Sequence, residues 1–132
     1  MSEYYQIREA VLEPKPVQKP HPKILMGSSG DRMLRLTGKE ADICFVPPWQ
    51  AHRFHEMKEI VLTAAEEAGR ADEIEFMGGI MGAGAPYNAD SYVKIIEDAE
   101  EKGCAYCNVA FPGSTMVADI RRFSEEVMPS FM

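Results

Sequence analysis

Four groups of residues in this chain have types and spacings that suggest chemistry. The first is Gly27-Ser28-Ser29-Gly30-Asp31, which follows the apolar run Ile24-Leu25-Met26 and opens a helical segment. A glycine turn leading into a helix N-terminus offers unpaired backbone N–H groups and the positive end of the helix dipole, where a phosphate can sit. Serine hydroxyls there would add hydrogen bonds. The same residues also make a plain strand-to-helix turn with no ligand, and a short Gly-Ser turn does not by itself choose between the two. The second group, Cys104-Ala105-Tyr106-Cys107, has the spacing of a redox or zinc pair, yet no second pair follows. On a strand, residues three apart point to opposite faces, so buried cysteines acting as small apolar residues are expected. The third group is His52, His55, Glu56 and Glu59. On one helix, His52 and Glu56 are four apart, as are His55 and Glu59, which predicts helix-surface ion pairs. The spacing matches none of the usual zinc signatures, so no metal site is expected. The fourth, Gly79 to Gly84, satisfies neither phosphate-loop pattern, because no Lys-Ser/Thr follows and Tyr87 occupies the last glycine position. It is expected to form a flexible loop at a strand mouth. Trp49, the sole tryptophan, follows Pro47-Pro48 and is placed either to stack on a ligand or to be buried at an interface. The acidic run Glu97, Asp98, Glu100 and Glu101 reads as a solvated helix face, and His21, between prolines, as exposed.

Positioning these residues requires alternating elements. Apolar runs at 24–26, 43–46, 74–81 and 104–111 read as strands, and the run 43–46 lacks alternation, as in a parallel sheet covered on both faces. Each is followed by a helical pattern. One runs from Asp31 to about Glu40 with Gly38 as a weak point. The next has Phe54, Met57, Ile60, Val61, Ala64, Ala65 and Ala68 on one stripe and Gly69 as its stop. A third runs from Asp90 to Lys102. In the last, Ser114 is placed to cap a helix lined by Met116, Ile120, Phe123 and Val127, with Pro129 ending it. The expected fold class is α/β, with four βα units on a parallel sheet. Residues 1–23, with prolines at 14, 16, 20 and 22, predict an extended arm, and 24–132 one domain. Ile43-Cys44-Phe45-Val46 and Tyr106-Cys107-Asn108-Val109 echo one another as related strand ends.

The chain has 132 residues, enough for one core. Its net charge of −7 argues against a nucleic-acid or anionic-membrane surface. No apolar run approaches the roughly 20 residues of a membrane span. The N-terminus has no basic region followed by an apolar core, so no signal peptide is expected. Three cysteines, an odd number, fit a reducing cytoplasm.

Pro14 to Ile24, Gly27-Ser28-Ser29-Gly30, Ala41-Asp42, Val109-Ala110-Phe111-Pro112 and Arg122-Phe123-Ser124-Glu125-Glu126-Val127-Met128-Pro129 together resemble the C-terminal half of luciferase-like (βα)8-barrel oxidoreductases. The branch they most resemble uses coenzyme F420, a deazaflavin. The resemblance implies half of a TIM-type barrel. It implies a cofactor, F420 or FMN, whose phosphate rests on Gly27, Ser28, Ser29, Gly30 and Asp31. It also implies that the strands holding the cofactor ring and performing proton or hydride chemistry belong to the other half. Cys44-Phe45 stands where Trp-Asn is common, and Ser28-Ser29 where two glycines are common. The expectation is a truncated oxidoreductase homologue, active only if a partner supplies the missing half; the alternative is a non-catalytic paralogue serving as a binding or assembly module. No residue stands out as catalytic.

A half barrel has two open sheet edges and a bare concave face. Met26, Phe45, Met77 or Val109 are expected on that face, according to register. Leaving apolar area wet forgoes about 25 cal/mol per Å², and over several hundred Å² that approaches a domain's whole stability of about 5–15 kcal/mol. A homo-oligomer, most simply a dimer, or a separate chain supplying the other half, is therefore expected.

Overall fold

The computed structural model describes residues 8–11, 13–79, 86–111 and 113–132. The elements run β1 (Leu25–Gly27), α1 (Asp31–Glu40), β2 (Ile43–Phe45), a 3-10 turn (Pro48–Arg53), α2 (Phe54–Glu67), β3 (Glu75–Gly79), α3 (Ala89–Glu101), β4 (Tyr106–Asn108), α4 (Met116–Glu126) and a closing 3-10 turn (Met128–Phe131). All neighbouring strands are parallel and lie in the order β1-β2-β3-β4. The order never reverses, which is the pattern of a barrel wall; a doubly wound sheet reverses at its switch point.

The alternation of strand side chains separates two faces. Cys44, Val46 and Phe76 join Leu34 of α1 and Phe54, Met57, Val61 and Ala65 of α2 in the buried core. Gly78 lies on the same side, since a Cβ there would meet Ala99 of α3. Helices α1, α2 and α3 thus cover one face. Phe45 and Met77, one residue out of phase, fall in one row with Gly27 and Tyr106 on the other face. Met26 was also expected there, but it packs with the helix-side core, because its register partner is Cys44.

Several boundaries differ from the sequence reading. The fourth strand is only Tyr106–Asn108; Cys104 precedes it, its N–H donating to Ala99 O at the end of α3. Residues 48–53 form a 3-10 turn, so His52 is not on α2, and Glu56 pairs with Arg53 rather than with a histidine. Asn88 starts α3 by accepting from the Ser91 N–H. Thr115, not Ser114, occupies the N-cap position of α4, and its hydroxyl donates to the buried Asp119 carboxylate at 2.5 Å. Pro129 sits inside the closing 3-10 turn, after α4 has ended at Glu126. The described arm residues are exposed and form no helix or strand.

Three features lock the wall. Gly38, the expected weak point of α1, is where α1 meets α2: a Cβ there would lie 2.2 Å from Val61 O. Arg70, following α2, donates from Nη1 to Gly38 O (3.0 Å) and Ala41 O (2.7 Å) and lies 3.7 Å from an Asp42 carboxylate oxygen. It caps the open carbonyls at the C-terminus of α1 and offsets that negative pole. A ring cluster of Tyr92, Phe111 and Phe123, each pair 5.4 Å apart, holds α4 to α3 and to the segment after β4.

Candidate functional site at the C-terminal rim

In a parallel βα wall, loops at the C-terminal strand ends converge on one rim. Here those segments are Gly27–Asp31 after β1, Pro47–Arg53 after β2, and Val109–Phe111 after β4. The Gly79–Gly84 loop was expected to be flexible; its residues 80–85 lie outside the described ones. Gly79 itself has φ +123, and a Cβ on it would lie 2.0 Å from Asn108 O, so β3 and β4 close together only because this position is glycine.

The Gly27–Asp31 turn has the geometry of an anion seat in its backbone. Gly30 is the N-cap residue of α1 in extended conformation, and no side chain caps the helix. Gly30 O accepts from the Met33 and Leu34 N–H groups, each at 2.9 Å. Among the described residues, the Asp31 and Arg32 N–H groups have no acceptor. They are the orphan donors of a helix start. Nothing lies within 4 Å of a Cβ built on Gly30, so a side chain at this position would meet open space.

The side chains pull in both directions. Ser28 Oγ is 3.1 Å from Thr37 Oγ1, and the Thr37 hydroxyl donates to Met33 O, so the Ser28 hydroxyl proton is directed to Thr37. Ser28 therefore secures the turn to α1 through Thr37. Arg53 Nη1 donates to Ser29 O at 3.3 Å, bringing a cation to the turn. That cation is shared: Nη2 is 2.7 Å from Glu56 and 4.0 Å from Asp31. The hydrogen bond from Arg53 holds the Glu56 carboxyl below the usual glutamate range. Asp31 is an exposed carboxylate in the first turn, where it occupies the favourable pole of the dipole and repels a second anion. Trp49, in the 3-10 turn after β2, is 61% exposed. Gln50 Oε1 is buried and has no hydrogen-bond partner among the described residues.

Sequence reasoning found the turn but missed Arg53, Thr37 and Gln50. Arg53 lies 24 residues from Ser29, and only the parallel pairing of β1 with β2 makes them neighbours. All three cysteines are free; Cys44 is buried, and Cys104 and Cys107 are half-buried rather than fully enclosed. Burial pushes the Cys44 thiol up to about 11 and raises the other two as well.

Residues 1–107 match the family model of luciferase-like monooxygenases. The chain belongs to this family. In fold it is similar to the coenzyme F420-dependent tetrahydromethanopterin reductase of Methanopyrus kandleri, with a TM-score of 0.63 and 17% sequence identity over 83% of this chain. The likeness covers 51% of the reductase, so this chain spans about half of that protein's length. At that identity it speaks for the fold. No curated sequence matches the chain. Among the described residues, no helix is long and apolar enough to cross a membrane.

Proposed function

We propose that this luciferase-like chain is the phosphate-side half of an oxidoreductase barrel, with the phosphate of F420 or FMN bound at Gly27–Asp31. The observation that carries the reading is the pair of N–H groups of Asp31 and Arg32, which have no acceptor among the described residues, at an uncapped helix start following a barrel-type strand. Family membership and the F420-dependent structural neighbour support the choice of cofactor class. Gly27 and Gly30 keep the backbone accessible, the Asp31 and Arg32 N–H groups donate, and Arg53 balances charge. Ser28 holds the turn in shape through Thr37, and Ser29 offers its carbonyl to Arg53. When bound, such a cofactor supplies hydride transfer. Residues beyond this half would hold its ring, so turnover requires the other half of the barrel.

A second reading, a binding or assembly module without catalysis, is favoured by one specific feature: the Arg53 cation is already engaged by Glu56 and Asp31. Calorimetric titration with F420, FMN and inorganic phosphate separates the readings. The first predicts that both cofactors bind and that phosphate competes. It also predicts that Asp31→Asn tightens phosphate a few-fold while weakening α1 by about 0.3–1 kcal/mol. Absence of binding by all three to the folded protein removes the first reading and leaves the second.

A further inference from the structure

The two ends of the wall differ in a way that identifies what covers them. At one end, Ile24 and Leu25 are 45% and 46% exposed, and α1 turns Met33 and Leu36 outward. These two residues line a groove of about 740 Å³ edged by the cations Arg32, Arg35 and Lys39. At the other end, β4 has a pairing partner on one side only, and α4 exposes Met116, Val117 and Ile120. Beside it, a groove of about 510 Å³ between α3, β4 and the closing turn carries Glu97 and Glu100 and, among the described residues, no cation.

We infer that the β1–α1 end of one molecule docks on the β4–α4 end of a second copy, and the reverse, closing an eight-stranded barrel about a two-fold axis. The element that fits beside β4 is a parallel strand whose following helix lies next to α4. β1 with α1 is such a unit, and this chain carries it. Four strands are half of eight, so two copies close the ring and the heterologous contact does not propagate into a filament. The charges agree, since a basic apolar groove faces an acidic apolar one. The inner face is also ready for burial. Its carboxylate, Glu75, already holds Lys23 by an ion pair and accepts from the Tyr106 hydroxyl at 3.0 Å, so closure leaves no bare charge there. Closure places both Gly27–Asp31 turns on one rim.

Light scattering on a sizing column at micromolar protein, with no cofactor present, tests this. The expected mass is twice 14.8 kDa, constant with rising concentration. Leu36→Asp and Ile120→Asp lie at opposite ends, and each is expected to raise the dimer dissociation constant about tenfold or more, with helix content retained by circular dichroism. Mixing the two variants leaves one junction unaltered, so the mixture is expected to associate more tightly than either alone. Raising salt to 1 M is expected to weaken the unaltered dimer. A monomeric wild type, growth into larger assemblies, or a mixture no tighter than its components overturns the inference. Phosphate plays no part in the assay: a dimer that binds no phosphate sinks only the proposed function, and a monomer that binds it sinks only the closure.

Discussion

Replacing Gly38 by alanine sets two effects of opposite sign against each other. In an isolated helix, alanine is favoured over glycine by about 1 kcal/mol. In this fold, the new Cβ would lie 2.2 Å from Val61 O and 3.0 Å from both Ala64 Cβ and Ala65 N. A tolerable contact with the carbonyl oxygen needs roughly 1 Å more, which must come from moving α1 and α2 apart, because the obstructing atoms are backbone. Such overpacking costs about 1–3 kcal/mol, and separating the helices also loosens Leu34, Met57 and Val61, all fully buried between them. The net expectation is a loss of about 1–2 kcal/mol, or about 4–7 °C in Tm for a chain of this size. Urea unfolding followed by circular dichroism at one fixed protein concentration measures it, with Gly113→Ala, where nothing lies within 4 Å, as the neutral control. Unchanged or increased stability in Gly38→Ala would refute the α1–α2 approach on which the wall is built.

Further expectations follow from other contacts. Gly79→Ala forces a left-handed backbone position and a clash with the Asn108 backbone, so it should cost more than Gly38→Ala and separate β3 from β4, read as loss of amide protection in β4. Arg70→Ala removes two hydrogen bonds to the α1 terminus and should cost about 1–3 kcal/mol in the same urea assay, with Arg70→Lys recovering only part. The hydrogen bonds from Lys23 and Tyr106 hold the Glu75 carboxyl below the ordinary glutamate value. A lowered folded value means stability present above about pH 4.3 and lost as pH falls through the folded value, so Glu75→Gln should flatten the acid limb of the stability profile. The Cys44 thiol, fully buried and raised to about 11, should resist alkylation at pH 8 until the protein unfolds, whereas the half-buried Cys104 and Cys107 should react first.

The legible parts of this fold are those encoded by local pattern. Apolar runs bounded by glycine or proline marked the four strands, and the stripe from Phe54 to Ala65 marked α2, because periodicity survives without tertiary information. The turn at Gly27–Gly30 was equally visible, since small residues before a helix are a local signal. What escaped depends on contacts distant in sequence. Gly38 looked like a flaw in α1, and only the presence of Val61 makes it a requirement. The face of Met26 was left to register, because a three-residue strand shows too little alternation to fix its phase, and pairing with Cys44 puts it on the helix side. The strand after Gly103 was overextended: its apolar residues at 109–111 serve the Tyr92 ring cluster instead of the ladder. His52 and Glu56 satisfied helical spacing, but Pro47-Pro48 starts a 3-10 turn there, and Arg53 reaches Glu56 first. At the site, the direction of the Ser28 hydroxyl is set by Thr37, nine residues away, and no turn motif predicts it.

Residue-resolved amide NMR during titration with FMN, F420 or inorganic phosphate bears most directly on the account. The Gly30, Asp31 and Arg32 amides are expected to shift first and together, with the Arg53 side chain following. Shifts centred on another part of the chain, or none at saturating ligand, would contradict it.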